Sequence, residues 1–414
     1  MLSSLSKLVS GSLLAQVISF VSMPLITRIY SPESLGFYQF FTTVCLVLVP
    51  IVSGSLPFAV KSSSTMLRAK KNMRVGIFYI IVATLILFLT APVIIFSIKD
   101  TSLSWFIGFV PLVIVFCFFS SIFQLLLAYS VNLRNYNKIS LYTASKSLLS
   151  NFLKITFSGL SKSGLSLIWA IVLTEIIQVY SLSRQSFSIY FGKFFKFNRK
   201  VMLRELYKLR DYPTYISFSS VITILMNWYP ILITGVLYGP EYAGYLGLAF
   251  MVVNTPIYPF INALQSMCFG ELARARDKIN FFRVYGISVI VAFSISLMGF
   301  CILGLYGEEL FNIVFGATWE TAGSYAFICF FPISAAFIFS PIYSTLNHFY
   351  GFQRVFFKVQ FSVLLLGVGV TLYIGASDFP FLDFITWFSV IMSVNHIALM
   401  AVALYLVRKR MFND

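Results

Sequence analysis

The chain reads as a series of long apolar runs broken by short polar ones. Windows of about 20 predominantly apolar residues, the length that crosses a bilayer as a helix, occur twelve times. They lie at roughly 8–28, 36–59, 75–98, 104–130, 139–159, 164–184, 213–236, 243–266, 284–305, 321–346, 355–374 and 382–406. None alternates strictly between apolar and polar positions as barrel strands do, and a helix satisfies its own backbone in lipid. Twelve transmembrane helices are therefore predicted. The runs at 139–159 and 164–184 are the weakest, being Ser-rich and carrying charges. The first run lacks a small-residue cleavage site, which predicts a retained helix and not a removed signal.

Charge tests that count. The chain's two ends and the loops after spans two, four, six, eight and ten carry a net charge of +20. The alternate loops carry −5, and Lys146, Lys154 and Glu175 inside spans add +1, which recovers the +16 of the whole chain. A missed or additional span would scramble this alternation. The Lys and Arg excess marks the cytoplasmic side, so both termini are expected there. Hydrophobic residues make up 59% and charged residues 11% of the chain, against about 25% charged in soluble proteins. The class is an all-α polytopic membrane protein. The basic residues lie between apolar runs with no nucleic-acid motif, so anionic membrane lipids are the partners their charge implies, not nucleic acid.

One eight-residue stretch occurs twice. Tyr30-Ser31-Pro32-Glu33-Ser34-Leu35-Gly36-Phe37 returns as Tyr238-Gly239-Pro240-Glu241-Tyr242-Ala243-Gly244-Tyr245, an offset of 208 residues in a chain of 414. An offset near half the length predicts a duplicated unit. Proline presets a first helical position and glutamate favours the helix's positive end, so each copy reads as a tight turn between spans. The aromatic residues Tyr30, Phe37, Tyr238 and Tyr245 have the character of rings that rest at the membrane–water boundary. Six spans per copy is an even number, so the copies enter the membrane in the same direction and form two parallel six-helix bundles. The expected division is residues 1–186, a basic cytoplasmic linker at 187–212, and residues 213–414. In the linker Met202, Leu206 and Leu209 fall at helical spacing opposite Arg204 and Lys208. That pattern fits an amphipathic surface helix or a solvated basic linker.

Candidate chemistry is sparse. There is no phosphate-binding Walker loop, and no outward-facing loop is long enough to hold a soluble catalytic domain. Five cysteines sit singly in apolar context, and His348 and His396 lie in different spans without metal-ligand spacing. No enzyme activity, metal or cofactor is therefore expected. The informative residues are charges inside spans, which are costly unless paired or facing water. Measured from the cytoplasmic edge, Lys146 lies at roughly 10 Å, Glu175 at about 14 Å and Lys154 near 22 Å. One reading is a Lys146–Glu175 pair bracing two helices, with Lys154 snorkelling outward. The other is a water-filled cavity with a cationic wall for an anionic headgroup, and Glu175 taking part in ion coupling. Arg28 ends the first span, either as an interfacial anchor or as a planar fork for phosphate. The intramembrane polar residues Asn151, Gln178, Asn227 and Gln265 would line a lumen or bond between helices. Prolines such as Pro24, Pro50, Pro57 and Pro230 mark places for helices to bend.

The run Gly11-Ser12-Leu13, then Pro24-Leu25-Ile26-Thr27-Arg28-Ile29-Tyr30-Ser31-Pro32-Glu33-Ser34-Leu35-Gly36-Phe37-Tyr38, resembles the opening of Wzx-type polysaccharide flippases. These belong to the multidrug/oligosaccharidyl-lipid/polysaccharide (MOP) exporter superfamily, with the MATE transporters and the MurJ lipid II flippase. Span count, orientation and the Asp211-Tyr212-Pro213 stretch extend the resemblance over the whole chain. It implies two six-helix bundles in a V around a central cavity, in a bacterial inner membrane. It implies transfer of undecaprenyl-diphosphate-linked oligosaccharide, such as a lipopolysaccharide O-antigen unit, from the cytoplasmic to the periplasmic leaflet by alternating access. H⁺ or Na⁺ is the implied counter-ion, and polysaccharide polymerases or ligases are the implied further partners. Arg28 matches the family's arginine after the first span; Lys146, Lys154 and Glu175 match only the general feature of a charged lumen. Two other classes fit less well. A MATE-like cation exporter calls for more acid than base in its spans, where this chain has two lysines and one glutamate. A membrane glycosyltransferase or O-antigen polymerase calls for a large outward loop.

Overall fold

In a computed structural model that describes residues 2–133, 135–184, 199–274, 278–350, 352–375 and 379–413, the regular structure among the described residues is helical. The helices are α1 (Leu2–Ile29), α2 (Pro32–Ser53), α3 (Leu56–Lys61), α4 (Met66–Ile98), α5 (Val110–Asn132), α6 (Tyr136–Phe157) and α7 (Gly164–Arg184). They continue as α8 (Arg199–Lys208), α9 (Ser217–Leu237), α10 (Pro240–Arg274), α11 (Lys278–Phe315), α12 (Glu320–Tyr350), α13 (Gln353–Gly375) and α14 (Phe381–Asn413). Each of the twelve apolar windows falls on helix. Among the described residues, ten helical segments are long and apolar enough to cross a membrane, and α1 contributes a shorter apolar stretch, Leu13–Ile29. The remaining window is α6, whose serines, asparagine and lysines dilute it.

The window at 36–59 is not one helix. Gly54 caps α2 in the left-handed region (φ 58°) and Ser55 follows it there (φ 47°), so the chain breaks before α3. Pro57 sits in the first turn of α3, where its missing N–H costs nothing. Pro24, Pro50 and Pro230, by contrast, lie inside α1, α2 and α9 without ending them.

By contacts the chain divides into two compact units, Met1–Gly244 and Tyr245–Asp414. In the first, α2, α4, α5 and α7 close around Phe41, Cys45, Met73, Ile80, Cys117 and Leu125. Lipid is as apolar as these side chains, so close van der Waals fit holds them together more than exclusion of water does. The polar helix α6 packs between α1 and α7. Ser147 ties α6 to α1, with its hydroxyl 2.9 Å from Ser19 Oγ and 2.8 Å from the Ala15 carbonyl oxygen. α9 lies against α2, and its Ser217 hydroxyl donates to the Pro50 carbonyl at 2.9 Å. In the second unit α12 packs against both α11 and α14. Trp319 and Phe311 are buried there, Tyr245 meets Trp319 edge to face, and Gly307 and Gly323 let α11 and α12 approach backbone to backbone. Four of the five cysteines are buried; Cys301 is exposed on α11.

Residues 187–198 of the expected linker lie outside the described residues. Helix α8 buries Met202 and leaves Arg204 and Lys208 exposed. Glu205 fixes it to α4, with Lys71 Nζ at 2.9 Å and Lys208 Nζ of its own next turn at 2.8 Å. Hydrogen bonds from Lys208 and Lys71 hold the Glu205 carboxyl below its ordinary value of 4.5. A carboxyl whose folded pKa is lowered contributes its stability above the unfolded pKa and loses it as pH falls through the folded one. The contribution of this pair to the attachment of α8 should therefore be complete at neutral pH and weaken only below about pH 4.5. Hydrogen exchange of residues 199–208 across an acid series checks this; release between pH 6 and 8 would contradict it.

Candidate functional site

The two copies of the repeated motif form helix starts by different means. In the first, Ser31 is extended (φ −69°, ψ 160°) and its hydroxyl accepts from the Ser34 N–H as an N-cap, with Pro32 and Glu33 in the first turn of α2. In the second, Gly239 takes φ 89°, a conformation open to glycine, and Pro240 starts α10. The two helix starts then meet. A methyl group on Gly36 would lie 1.6 Å from the Pro240 carbonyl oxygen, and one on Gly244 would lie 1.9 Å from the Pro32 carbonyl oxygen. Each glycine thus presses on the carbonyl of the other copy's proline, a reciprocal contact within the first unit. Tyr30 faces inward and not to the membrane boundary as its position suggests. It is 2% exposed, and its hydroxyl donates to the Lys154 carbonyl at 2.8 Å.

Lys146 on α6 and Glu175 on α7 form an ion pair, Nζ to Oε1 at 2.5 Å. The carboxylate side chain is 1% exposed and the lysine 30%. The ammonium also sits 4.6 Å above the Phe123 ring, a cation–π contact that supports its charge in an apolar setting. Glu175 Oε2 and Gln178 Oε1 are buried without a hydrogen-bond partner. An ionised carboxylate with one bare oxygen in such a place depends on its single lysine partner.

The pair lies on the wall of a cavity of about 510 Å³ in the first unit, lined in part by Tyr38, Ser53, Ser120, Gln124, Lys146 and Glu175. The Lys146–Glu175 pair of the bracing reading thus also borders a cavity. Lys154 does not snorkel outward. It is 9% exposed, its Nζ donates to the Tyr38 hydroxyl at 2.9 Å, and it lies 4.4 Å from that ring's centre. Tyr38 thereby joins the buried lysine to the cavity wall. Arg28 is exposed at the end of α1 and is not among the described residues that line the cavity.

Tyr38, Ser120 and Gln124 escaped the reading of the sequence. Ser120 and Gln124 stand four apart on a predominantly apolar span, which is a one-face polar signal too short to stand out. The amides singled out instead mostly bond helices to themselves or their neighbours. Asn151 donates to the Ser147 carbonyl, Gln178 to Ser145 Oγ, Asn227 to the Thr223 carbonyl and Gln265 to Ser344 Oγ. His396 in the second unit bonds Tyr343 at 3.0 Å; the His348 side chain lies outside the described residues.

The fold is similar to that of solved MOP superfamily transporters. A MATE family multidrug resistance transporter in an inward-facing conformation aligns over 97% of this chain and 94% of its own at 14% identity, with a TM-score of 0.61. A MOP superfamily transporter from Pyrococcus furiosus, described as having a binding pocket of reversed polarity, aligns over 98% and 95% at 13% identity and a TM-score of 0.54. The outward-facing conformation of a MATE family transporter gives 99%, 96%, 12% and 0.55. Comparison with the curated proteins finds no match. Residues 25–324 match the family described as polysaccharide biosynthesis proteins, and the chain belongs to that family.

Proposed function

We propose that this protein is a flippase that carries an undecaprenyl-diphosphate-linked oligosaccharide, an O-antigen or similar unit, from the cytoplasmic to the periplasmic leaflet of a bacterial inner membrane. Family membership supports a role in polysaccharide biosynthesis, and the fold supports transport by alternating access. The observation that carries the reading is Lys146: a cation on the wall of a cavity within the membrane span, held there by a buried carboxylate. A diphosphate entering the cavity competes with Glu175 for that ammonium. Once Lys146 turns to the phosphate, Glu175 is left without its partner and receives the counter-ion, H⁺ or Na⁺. Release of the substrate reverses the exchange, which couples cargo to ion. The polyprenyl tail stays in lipid throughout. No bond is made or broken, and no cofactor is needed.

Lys154 backs the wall through its hydrogen bond to Tyr38, and Arg28 acts at the membrane boundary. In this reading both termini face the cytoplasm, where the basic loops lie, and the delivered unit passes to a polymerase or ligase on the far side. Deleting the gene should deplete the surface glycan and accumulate its lipid-linked precursor, and re-expression should reverse both. Unchanged surface glycan with no precursor accumulation would contradict the proposal.

A further inference from the structure

A second cavity, of about 560 Å³, lies apart from the first, between the α3–α4 connection and the linker helix α8. Its wall carries three cations, Arg68, Lys71 and Lys208, against one carboxylate, Glu205. The hydroxyls of Ser62 and Tyr212 also line it, 3.3 Å from one another. Glu205 already engages Lys71 and Lys208 with its two oxygens, at 2.9 Å and 2.8 Å. The Arg68 guanidinium has no such partner among the described residues. It extends from the first turn of α4, whose opening N–H groups add a positive field. Asn72 at the base is held by the Ala59 carbonyl and Ser63 Oγ, which fixes the floor of the bowl.

The rim of this basic bowl is apolar and unburied. Leu67, itself one of the lining residues, is 81% exposed, and Met66, its neighbour in the chain, is 50% exposed. A soluble phosphate compound has no use for such a rim. A phospholipid does: its headgroup phosphate meets the guanidinium fork while its glycerol and upper acyl chain cover Leu67 and Met66. We propose that this cavity is a binding site for one anionic phospholipid, with Arg68 as the residue that holds the phosphate. Lys71 and Lys208, kept in place by Glu205, supply the surrounding charge. The proposal is independent of the cargo assigned to the first cavity.

The test is native mass spectrometry of the purified full-length protein with added phosphatidylglycerol, phosphatidylcholine or glycerol phosphate. One phosphatidylglycerol should be retained per chain ahead of any others, and glycerol phosphate should not displace it. Arg68→Gln should weaken that first binding about fivefold, the worth of one basic side chain at an anionic surface. Arg68→Lys should restore part of it. Lys70→Gln removes the same charge from the next turn but outside the cavity, and should leave the first binding unchanged. Equal weakening by Arg68→Gln and Lys70→Gln would overturn the site in favour of diffuse attraction. Displacement by glycerol phosphate would overturn the lipid as its occupant.

Discussion

Lys146→Met should destabilise the protein by about 2–3 kcal/mol and stop glycan export, while Lys146→Met combined with Glu175→Gln should regain most of the stability and none of the export. Removing one partner of a buried pair typically costs ~3–5 kcal/mol because the other charge is stranded. Here the lysine end reaches the cavity and is 30% exposed, which brings the loss to the bottom of that range or just below it. Glu175, at 1% exposure with one oxygen already bare, is the group left stranded. Replacing both by neutral side chains of similar shape removes the penalty. Thermal unfolding of purified protein reads the stability, and accumulation of lipid-linked precursor in cells reads export. If the double variant exports normally, the pair is a brace between α6 and α7 and nothing more. If the single variant is as stable as wild type, the pairing argument fails.

Gly36→Ala and Gly244→Ala should each reduce the amount of folded protein sharply. Overpacking a core commonly costs ~1–3 kcal/mol because side chains shift to make room. At these glycines the obstacles are the backbone carbonyls of Pro240 and Pro32, at 1.6 Å and 1.9 Å from the new carbon, and no rotamer relieves them. The helix starts must separate, so the loss should exceed that range. Once separated, they admit a second methyl group cheaply, and the double variant should be far less damaging than the sum of the singles. Gly108→Ala, with nothing within 4 Å, is the matched control and should be close to silent. Full accumulation and unchanged unfolding temperature in Gly36→Ala would refute the reciprocal contact.

That contact shows what a single sequence conveys and what it does not. The repeat of Pro-Glu with glycine four residues after the proline was visible as a repeat, because identity at a fixed offset needs no structure. That the two copies would touch each other was invisible, since contact across 208 positions leaves no mark in one chain. The helical spans were legible from apolar run length, and the weakness of the 139–159 window was legible as α6's polar composition. The break at Gly54 and Ser55 was hidden because a window average smooths over two residues in left-handed backbone. In the cavity, Lys146 and Glu175 announced themselves as charges where charges are costly. Tyr38, Ser120 and Gln124 are ordinary in a membrane helix, and only their convergence on one wall gives them a role. Of the two readings open for Lys154, snorkelling fails because the Tyr38 hydroxyl that draws the side chain inward lies on another helix.

The central claim is that the ammonium in the first cavity takes the diphosphate of the cargo. Translocation of a short-chain polyprenyl-diphosphate sugar in proteoliposomes tests it most directly, comparing wild type with the folded Lys146→Met/Glu175→Gln protein and with Lys146→Arg. Wild type should move the lipid, Lys146→Arg should retain part of the rate, and the neutral double variant should fall to the protein-free background. Translocation by the double variant at the wild-type rate would contradict the account.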